Sequence, residues 1–190
     1  MARPLPGDLR FVLEAEGLKR LPRAGWRRVG IRGGESVADH SWRLALMAML
    51  YADLLGLDAG RAMRIALVHD LAEARVGDAM PGEWSAKQKH VREARALRAM
   101  LKPLPANLQR RYFALWMDYE QGRSREARLV AELDKLEMVA QARGYEGSIP
   151  RPEMDRFWRT ADRAIEHAGL RELFEDLRAR RPRTRSTRRC

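Results

Sequence analysis

The residues most able to do chemistry in this chain are His69, Asp70 and Glu73, which lie at the end of its most apolar helical stretch. A charged pair at such a position is unfavourable unless something compensates it, and a bound cation does so because imidazole nitrogen and carboxylate oxygen both ligate divalent metals. Adjacent helical residues point about 100° apart, so His69 and Asp70 reach one ion only if it lies beside the helix. Glu73 follows by one turn on the same side. This spacing predicts a metal site with a neighbouring carboxylate.

Three other positions strengthen that prediction. His40 follows Asp39 at the start of the preceding amphipathic helix, and Asp134 lies at apolar spacing in the longest predicted helix. Asp78 follows Gly77 one short turn after the third helix, where a loop carboxylate can face a pocket. Imidazole and carboxylate groups are therefore distributed over three predicted helices and one loop.

The elements that must position these residues are helices. Apolar residues recur at helical spacing almost throughout, and the alternation typical of strands is absent, so the sequence predicts an all-α fold, a single bundle of seven to eight helices. The glycine- and arginine-rich segment 21–35 is long for a connector and is a candidate binding loop. The predicted helices cover about 8–20, 37–55, 59–75, 85–101, 106–121, 124–143, 153–168 and 170–180.

Bulk properties limit the class of protein. A length of 190 residues fits one domain, and no apolar stretch is long enough to cross a membrane or to form a secretory signal. The single cysteine, Cys190, excludes an internal disulfide and fits a reducing cytoplasm. Of the net charge of +11, seven arginines fall within residues 178–190. We therefore predict a domain over 1–177 and a disordered arginine-rich tail over 178–190, which is either simply solvated or a weak nucleic-acid contact.

The order of histidine, histidine-aspartate and aspartate on a helical chain resembles the HD-domain metal-dependent phosphohydrolases. Segments 35–40, 66–78 and 132–138 resemble one branch more closely, the 5′-deoxynucleotidases of the bacterial YfbR type and the HD-domain-containing protein 2 group. Segment 18–26 also looks like the second group, and the likeness spans about residues 10–147.

The resemblance implies specific roles. Glu73 would act with Asp70 in catalysis as the general acid or base, Asp78 would contact the sugar and reject a 2′-hydroxyl, and Arg20 would bind the phosphate. Leu21 occupies the position at which the bacterial enzymes carry a tryptophan, beside the substrate. One divalent ion would be ligated by His40, His69, Asp70 and Asp134.

The sequence favours one ion because His90 is the only histidine between Asp70 and Asp134, and two-metal relatives need more. Mn, Co, Fe, Zn and Ni all suit two histidines and two aspartates. The expected reaction is the release of phosphate from nucleoside 5′-monophosphates. Two alternatives stay open: hydrolysis of an alarmone, cyclic nucleotide or deoxynucleoside triphosphate, and nucleic-acid binding by a helical protein with a vestigial metal site. A homodimer is expected, with helix 112–119 as the candidate patch.

Overall fold

The computed structural model of the protein describes residues 6–80 and 82–182. The described residues form eight helices of nine residues or more and three short ones. This part of the chain contains isolated bridges but no strand, which confirms the predicted all-α fold. The helices are α1 (Gly7–Ala15), α2 (Gly17–Arg20), α3 (Ala24–Arg28), α4 (Val37–Leu54), α5 (Ala59–Val68), α6 (Glu73–Val76), α7 (Ala86–Leu101), α8 (Ala106–Gln121), α9 (Arg125–Gly144), α10 (Arg151–Ala164) and α11 (Ala168–Ala179).

Helix α9 lies at the centre of the bundle. It contacts α4, α5, α8, α10 and α11, while α4 and α5 form the most extensive helix pair. Leu44, Ile65 and Leu133 are fully buried between these three helices. Because burial of each such side chain contributes about 1.5–3 kcal/mol, this core fixes the three helices that carry the predicted ligands.

Polar side chains cap the starts of several of the main helices. Asp58 accepts a hydrogen bond from the Arg61 amide at the start of α5, and Ser124 accepts one from the Ala127 amide at the start of α9. Ser85 forms a reciprocal capping box at the start of α7. These caps satisfy amide groups that have no partner within their own helix.

The predicted helix over 59–75 is wrong in one respect, because α5 ends at Val68 and α6 begins at Glu73. Between them the amides of Leu71 and Glu73 bond to carbonyls three residues back, which is a tighter turn than that of an α-helix. The turn changes the direction of successive side chains at His69 and Asp70. Gly77 then ends α6 with a φ of +80°, a conformation that a glycine adopts without strain.

Segment 21–35 is an arch rather than an open loop. The Val37 amide bonds to the Leu21 carbonyl and the Arg23 amide bonds to the Glu35 carbonyl, which holds the two ends of the arch together. The arch contains α3, which periodicity alone does not reveal because it has only five residues. Trp26 in α3 is buried against Tyr145 and Phe157, so the arch is fixed to the bundle.

The described structure extends slightly past the predicted start of the tail at 178. Helix α11 ends at Ala179, one residue before the predicted end of the last helix at 180. Arg181 is also held firmly, since its guanidinium bonds to Glu146 at 2.6 Å and to Asp155 at 2.7 Å and lies over the ring of Trp158. Residues 183–190, the rest of the predicted tail, lie outside the described residues. Across the described part of the chain, no helix has the length and apolar character needed to cross a bilayer.

Candidate metal centre

Four predicted ligands from three elements meet at one buried point. Helix α4 supplies His40, the turn after α5 supplies His69 and Asp70, and α9 supplies Asp134. The Nε2 atom of His40 lies 3.4 Å from Nε2 of His69 and 3.2 Å from Oδ1 of Asp134. Oδ2 of Asp70 lies 3.0 Å from Nε2 of His69. The structure therefore brings together all four residues, with their donor atoms pointing inward.

The far side of each histidine ring is fixed by a partner. Nδ1 of His40 lies 2.6 Å from a carboxylate oxygen of Glu137, which is itself paired with Arg43. Nδ1 of His69 donates to the Ala66 carbonyl at 2.7 Å. Such partners set the tautomer and the orientation of a metal-binding imidazole, and here both leave Nε2 free to ligate.

The donor set fits a divalent cation. One ligand atom each from His40, His69 and Asp134 lies within 4.8 Å of the others, and two imidazoles with carboxylates are the ligands that transition metals take. Glu73 gives an independent sign that a group is missing from this site. It is 3% exposed, and within the described residues its buried Oε2 atom has no hydrogen-bond partner. A buried carboxylate left in this way is unfavourable unless a cation or substrate group completes it.

Arg23, which the sequence reasoning missed, is the main basic group of the cluster. Its guanidinium lies 3.2 Å from Asp70 and 3.9 Å from Asp134, and the arch over 21–35 places it there. The only sequence signal was the length and arginine content of that segment. Arginines are common in loops, and nothing in the spacing distinguishes Arg23 from its neighbours.

Further polar groups from α8 and α9 surround Asp134. Lys135 donates to its Oδ2 atom at 2.6 Å and the hydroxyl of Tyr119 donates to the same atom at 3.3 Å. The ring of Tyr119 also stands against that of His69, with centroids 5.1 Å apart. Sequence reasoning missed Tyr119 and Glu137. The three-residue spacing of Asp134 and Glu137 on one helix face is the one signal that could have found the latter.

The buried charges shift one another. Burial, together with the charges of Asp70 and Asp78, raises the pKa of Glu73 to about 10. Burial acts to lower the pKa of His40, but hydrogen bonds to Asp134 and Glu137 outweigh it and raise that pKa to about 9. Burial would raise the pKa of Asp134, yet Lys135 and His40 hold it well below its usual range. Strongly shifted carboxyl groups in a cleft are typical of functional sites.

A pocket of about 420 Å³ opens beside this cluster, and Arg23 and Lys135, which contact Asp70 and Asp134, line it together with Asp78. Asp78 accepts a hydrogen bond at 2.7 Å from the Ala24 amide, so it anchors the start of α3 as well as facing the pocket. The other lining residues combine apolar, polar and charged groups: Gly25, Trp26, Arg28, Val29, Ala79, Met80, Met138, Glu153, Arg156, Phe157 and Thr160.

The structure does not bring Arg20 or Leu21 into this arrangement. The side chain of Arg20 is 73% exposed and pairs with Glu16 one turn earlier in the chain. Leu21 is partly buried against the core, and its carbonyl closes the arch through the Val37 amide. Neither residue is among those that line the pocket.

The helical bundle and its buried histidine–aspartate centre define a class of protein, the helical domains that hold a metal between histidines and aspartates. A family model described as "HD domain" matches residues 15–173, and the chain belongs to this family. Among its relatives, the 5′-deoxynucleotidase HDDC2 of Mus musculus is 38% identical over 177 residues, which cover 92% of this chain and 88% of that protein.

Solved structures agree with this assignment. A conserved hypothetical protein from Pyrococcus furiosus superposes with a TM-score of 0.75 at 32% identity, covering 90% of this chain and 99% of that one. A predicted metal-dependent phosphohydrolase from Magnetospirillum magnetotacticum has a TM-score of 0.67 at 27% identity, covering 92% and 95%. The chain thus shares its fold with these solved structures.

Proposed function

We propose that the protein is a metal-dependent 5′-nucleotidase that releases phosphate from deoxynucleoside and nucleoside 5′-monophosphates. The observation that carries the proposal is the position of the four converging ligands next to a pocket that is lined by Arg23 and Lys135 together with apolar side chains. A phosphate suits the basic groups and a nucleoside suits the apolar ones. The relatives named 5′-deoxynucleotidase support the same substrate class.

The residues that would hold the metal are His40, His69, Asp70 and Asp134. A divalent ion bound there would supply Lewis acidity, lowering the pKa of a water and neutralising phosphate charge. We propose a single ion. Mn, Co, Fe, Zn and Ni are all candidates, because two imidazoles with two carboxylates suit each of them. Glu137 and the Ala66 carbonyl, behind the histidines, keep both rings oriented for this task.

Glu73 is the group placed to move the proton. Its Oε2 atom is buried, without a partner among the described residues, and its raised pKa allows the carboxyl group to hold a proton near neutral pH. A proton carrier works best when its pKa is close to the working pH, and the positive charge of a bound metal ion would move that of Glu73 downward towards it. Glu73 would therefore deliver a proton to the leaving oxygen or take one from the attacking water.

Arg23 and Lys135 are the cations that we assign to the phosphate. Both face the pocket, and both now contact Asp70 or Asp134. A guanidinium offers paired donors to phosphate oxygens, so Arg23 can exchange its carboxylate contact for a substrate contact. This assignment places the phosphate role three residues beyond Arg20, the residue that the family resemblance implies.

Asp78 is the proposed sugar-reading residue. Its carboxylate faces the pocket while accepting the Ala24 amide, so it is fixed where a ribose would pass. A fixed carboxylate can accept a hydrogen bond from the 3′-hydroxyl and leave no room for a 2′-hydroxyl. Leu21 packs against the core and does not line the pocket. Asp78 is therefore the residue that we expect to set the strength of the preference for deoxyribose.

A panel assay tests the function. Metal-free protein would be supplied with Mn, Co or Zn, and phosphate release would be measured from matched deoxy- and ribonucleoside monophosphates. We expect release from monophosphates, with the deoxy form preferred and the preference reduced in Asp78→Asn. Absence of release from every monophosphate with every metal would overturn the proposal.

A larger nucleotide is the second candidate substrate, because Arg28 and Arg156 also line the pocket and add further positive charge. An alarmone or deoxynucleoside triphosphate would place further phosphates near them. Mass spectrometry of the products distinguishes this from the first proposal, since it shows whether phosphate, pyrophosphate or triphosphate leaves. The predicted weak nucleic-acid contact through the tail stays a prediction, since residues 183–190 lie outside the described structure.

A further inference from the structure

A row of charged side chains lies behind the metal centre and reaches the wall of the pocket. Glu137 holds Nδ1 of His40 through its Oε2 atom at 2.6 Å, and its Oε1 atom accepts a hydrogen bond from Nε of Arg43 at 2.7 Å. Nη2 of Arg43 lies 3.5 Å from Oε2 of Glu35. The other oxygen of Glu35 accepts the indole N–H of Trp26 at 2.8 Å, and Trp26 lines the pocket. An unbroken series of polar contacts therefore joins a metal ligand to the pocket wall.

The three middle members, Glu35, Arg43 and Glu137, form what we call the charged row, and they come from three parts of the chain. Glu35 lies at the end of the arch over 21–35, Arg43 lies in α4 and Glu137 lies in α9. The side chains of Glu35 and Glu137 are 8% and 0% exposed. Loss of one partner from a buried ion pair is strongly unfavourable because the other charge is left uncompensated. A displacement of one member of the row therefore displaces the next.

Arg43 is the member that joins the two carboxylates. One ligand atom each from Glu35, His40 and Glu137 lies within 4.8 Å of the others, a grouping that could hold a cation. The guanidinium of Arg43 contacts both carboxylates, so the chain supplies the positive charge itself. Nε and Nη2 both contact Glu137, and Nη2 also reaches Glu35. The planar fork of an arginine allows this arrangement, whereas a lysine offers a single nitrogen.

We propose that the charged row couples the pocket wall at Trp26 to the metal ligand His40, with its three members as positioning residues. A nucleoside that packs against the wall fixes the indole, and the row then holds the His40 imidazole with Nε2 towards the metal. Coupling of this kind is reciprocal, so a bound metal strengthens binding at the wall by the same factor. The inference rests on the proposed function only for the identity of the ligand at the wall, a nucleoside.

The metal affinity of Trp26→Phe tests the proposal. Phenylalanine keeps an aromatic ring in the wall but lacks the N–H that Glu35 accepts. Competition with a chromophoric chelator for Co or Zn measures the affinity, and we expect Trp26→Phe to bind metal about fivefold more weakly or worse. Trp158→Phe is the matched control, since Trp158 is 3% exposed and its N–H also donates to a glutamate, Glu146, at 3.2 Å. It should bind metal like the wild type.

A double variant separates the charged row from other routes. Arg43→Gln breaks the row and removes support from behind a metal ligand, so it should weaken metal binding about 10- to 100-fold. Trp26→Phe should have no further effect in that background, because members of one network are not additive. Effects that multiply would mean that Trp26 acts through the arch, which also carries Arg23, and would overturn the proposal. Unchanged metal affinity in Trp26→Phe alone would do the same.

Glu35→Gln keeps the test decisive if Trp26→Phe loses its helical content in circular dichroism. Glutamine keeps the shape of the side chain and an acceptor for Trp26 but loses the charge that attracts Arg43. It should therefore weaken metal binding, and have no further effect in the Arg43→Gln background. Normal metal affinity in Glu35→Gln would contradict the coupling. None of these measurements requires turnover, so a wrong substrate shows in the panel assay of monophosphates, whereas a wrong coupling shows only in the metal affinities.

Discussion

The buried carboxylate at the junction of α8 and α9 and the buried carboxylates of the metal centre are neutralised differently. At the junction of α8 and α9, Asp118 accepts the Ser124 amide at 2.9 Å and the Ser124 hydroxyl at 2.7 Å, and it pairs with Arg61. At the metal centre, the Glu73 Oε2 atom has no partner among the described residues, and Asp70 and Asp134 share Arg23. Both groups are buried, but only at the junction of α8 and α9 do the carboxylate oxygens all have hydrogen-bond partners among the described residues.

The difference indicates what each group is for. Where the chain itself supplies the donors, a buried carboxylate connects elements and adds to the stability of the fold. Where carboxylates and imidazoles converge with too few donors, the chain leaves room for a cation and a substrate from outside. If this is so, substitutions at the metal centre should change metal binding and activity, whereas substitution of Asp118 should change only the stability of the fold.

The largest effect is expected from the double variant His69→Ala with Asp70→Asn. Loss of one residue behind a ligand lowers metal affinity or activity about 10- to 100-fold, so loss of two ligands should reduce phosphate release to background. Bound metal, measured by elemental mass spectrometry, should fall with it. Asp118→Asn is the control and should keep both metal and turnover. Full metal content in the double variant would show that the ligands are elsewhere.

Much of this contrast could be predicted from the sequence, but not all of it. His40, His69, Asp70 and Asp134 stand out because their residue types are costly at apolar helical positions and their order resembles a known family. Arg23 could not be found in this way, because its role depends on the arch over 21–35 folding back on α4. The break between α5 and α6 also escapes periodicity, since tertiary packing and not local propensity sets that turn.

The next largest effect is expected from Glu73→Gln. Glutamine keeps the shape of the carboxyl group but cannot transfer a proton, so kcat should fall about 10²- to 10³-fold while the four ligands still bind metal. The thermal midpoint of the metal-free protein should stay within a degree or two of the wild type. A variant that keeps its kcat would exclude Glu73 as the proton carrier.

Metal removal should affect stability through the metal centre alone. Metal at 100 times its dissociation constant should stabilise the folded protein by about 2.7 kcal/mol, and a chelator should remove this increment. The increment should persist in Asp118→Asn and vanish in the His69→Ala, Asp70→Asn double variant. Denaturant unfolding with and without metal measures it. An equal increment in all three proteins would place the stabilising ion elsewhere.

Asp118→Asn should lower the free energy of unfolding of the metal-free protein by about 2 kcal/mol at pH 7, because charge-assisted hydrogen bonds are weakened. Burial would raise the pKa of Asp118, but Ser124 and Arg61 hold it below its usual value. A lowered folded-state pKa means that this contribution is complete above the unfolded value of about 3.9 and is lost as the pH falls through the folded value.

The difference between wild type and Asp118→Asn should therefore be largest at neutral pH and shrink below about pH 4. Urea unfolding at a series of pH values measures it. A difference that stays constant down to pH 2 would mean that the side-chain charge does not matter and that the substitution acts through packing.

The smallest effect is expected from Arg20→Ala. The Arg20 guanidinium is 73% exposed and pairs with Glu16, and an exposed pair of this kind contributes only about 0.3–0.5 kcal/mol. We expect KM for a deoxynucleoside monophosphate to change no more than about threefold, whereas Arg23→Ala, which removes a donor inside the pocket, should raise KM more than tenfold. The pair measures whether phosphate recognition depends on the buried arginine or on the exposed one. Equal increases in KM would mean that α2 approaches the substrate when it binds, and the phosphate role implied for Arg20 by the family resemblance would then stand.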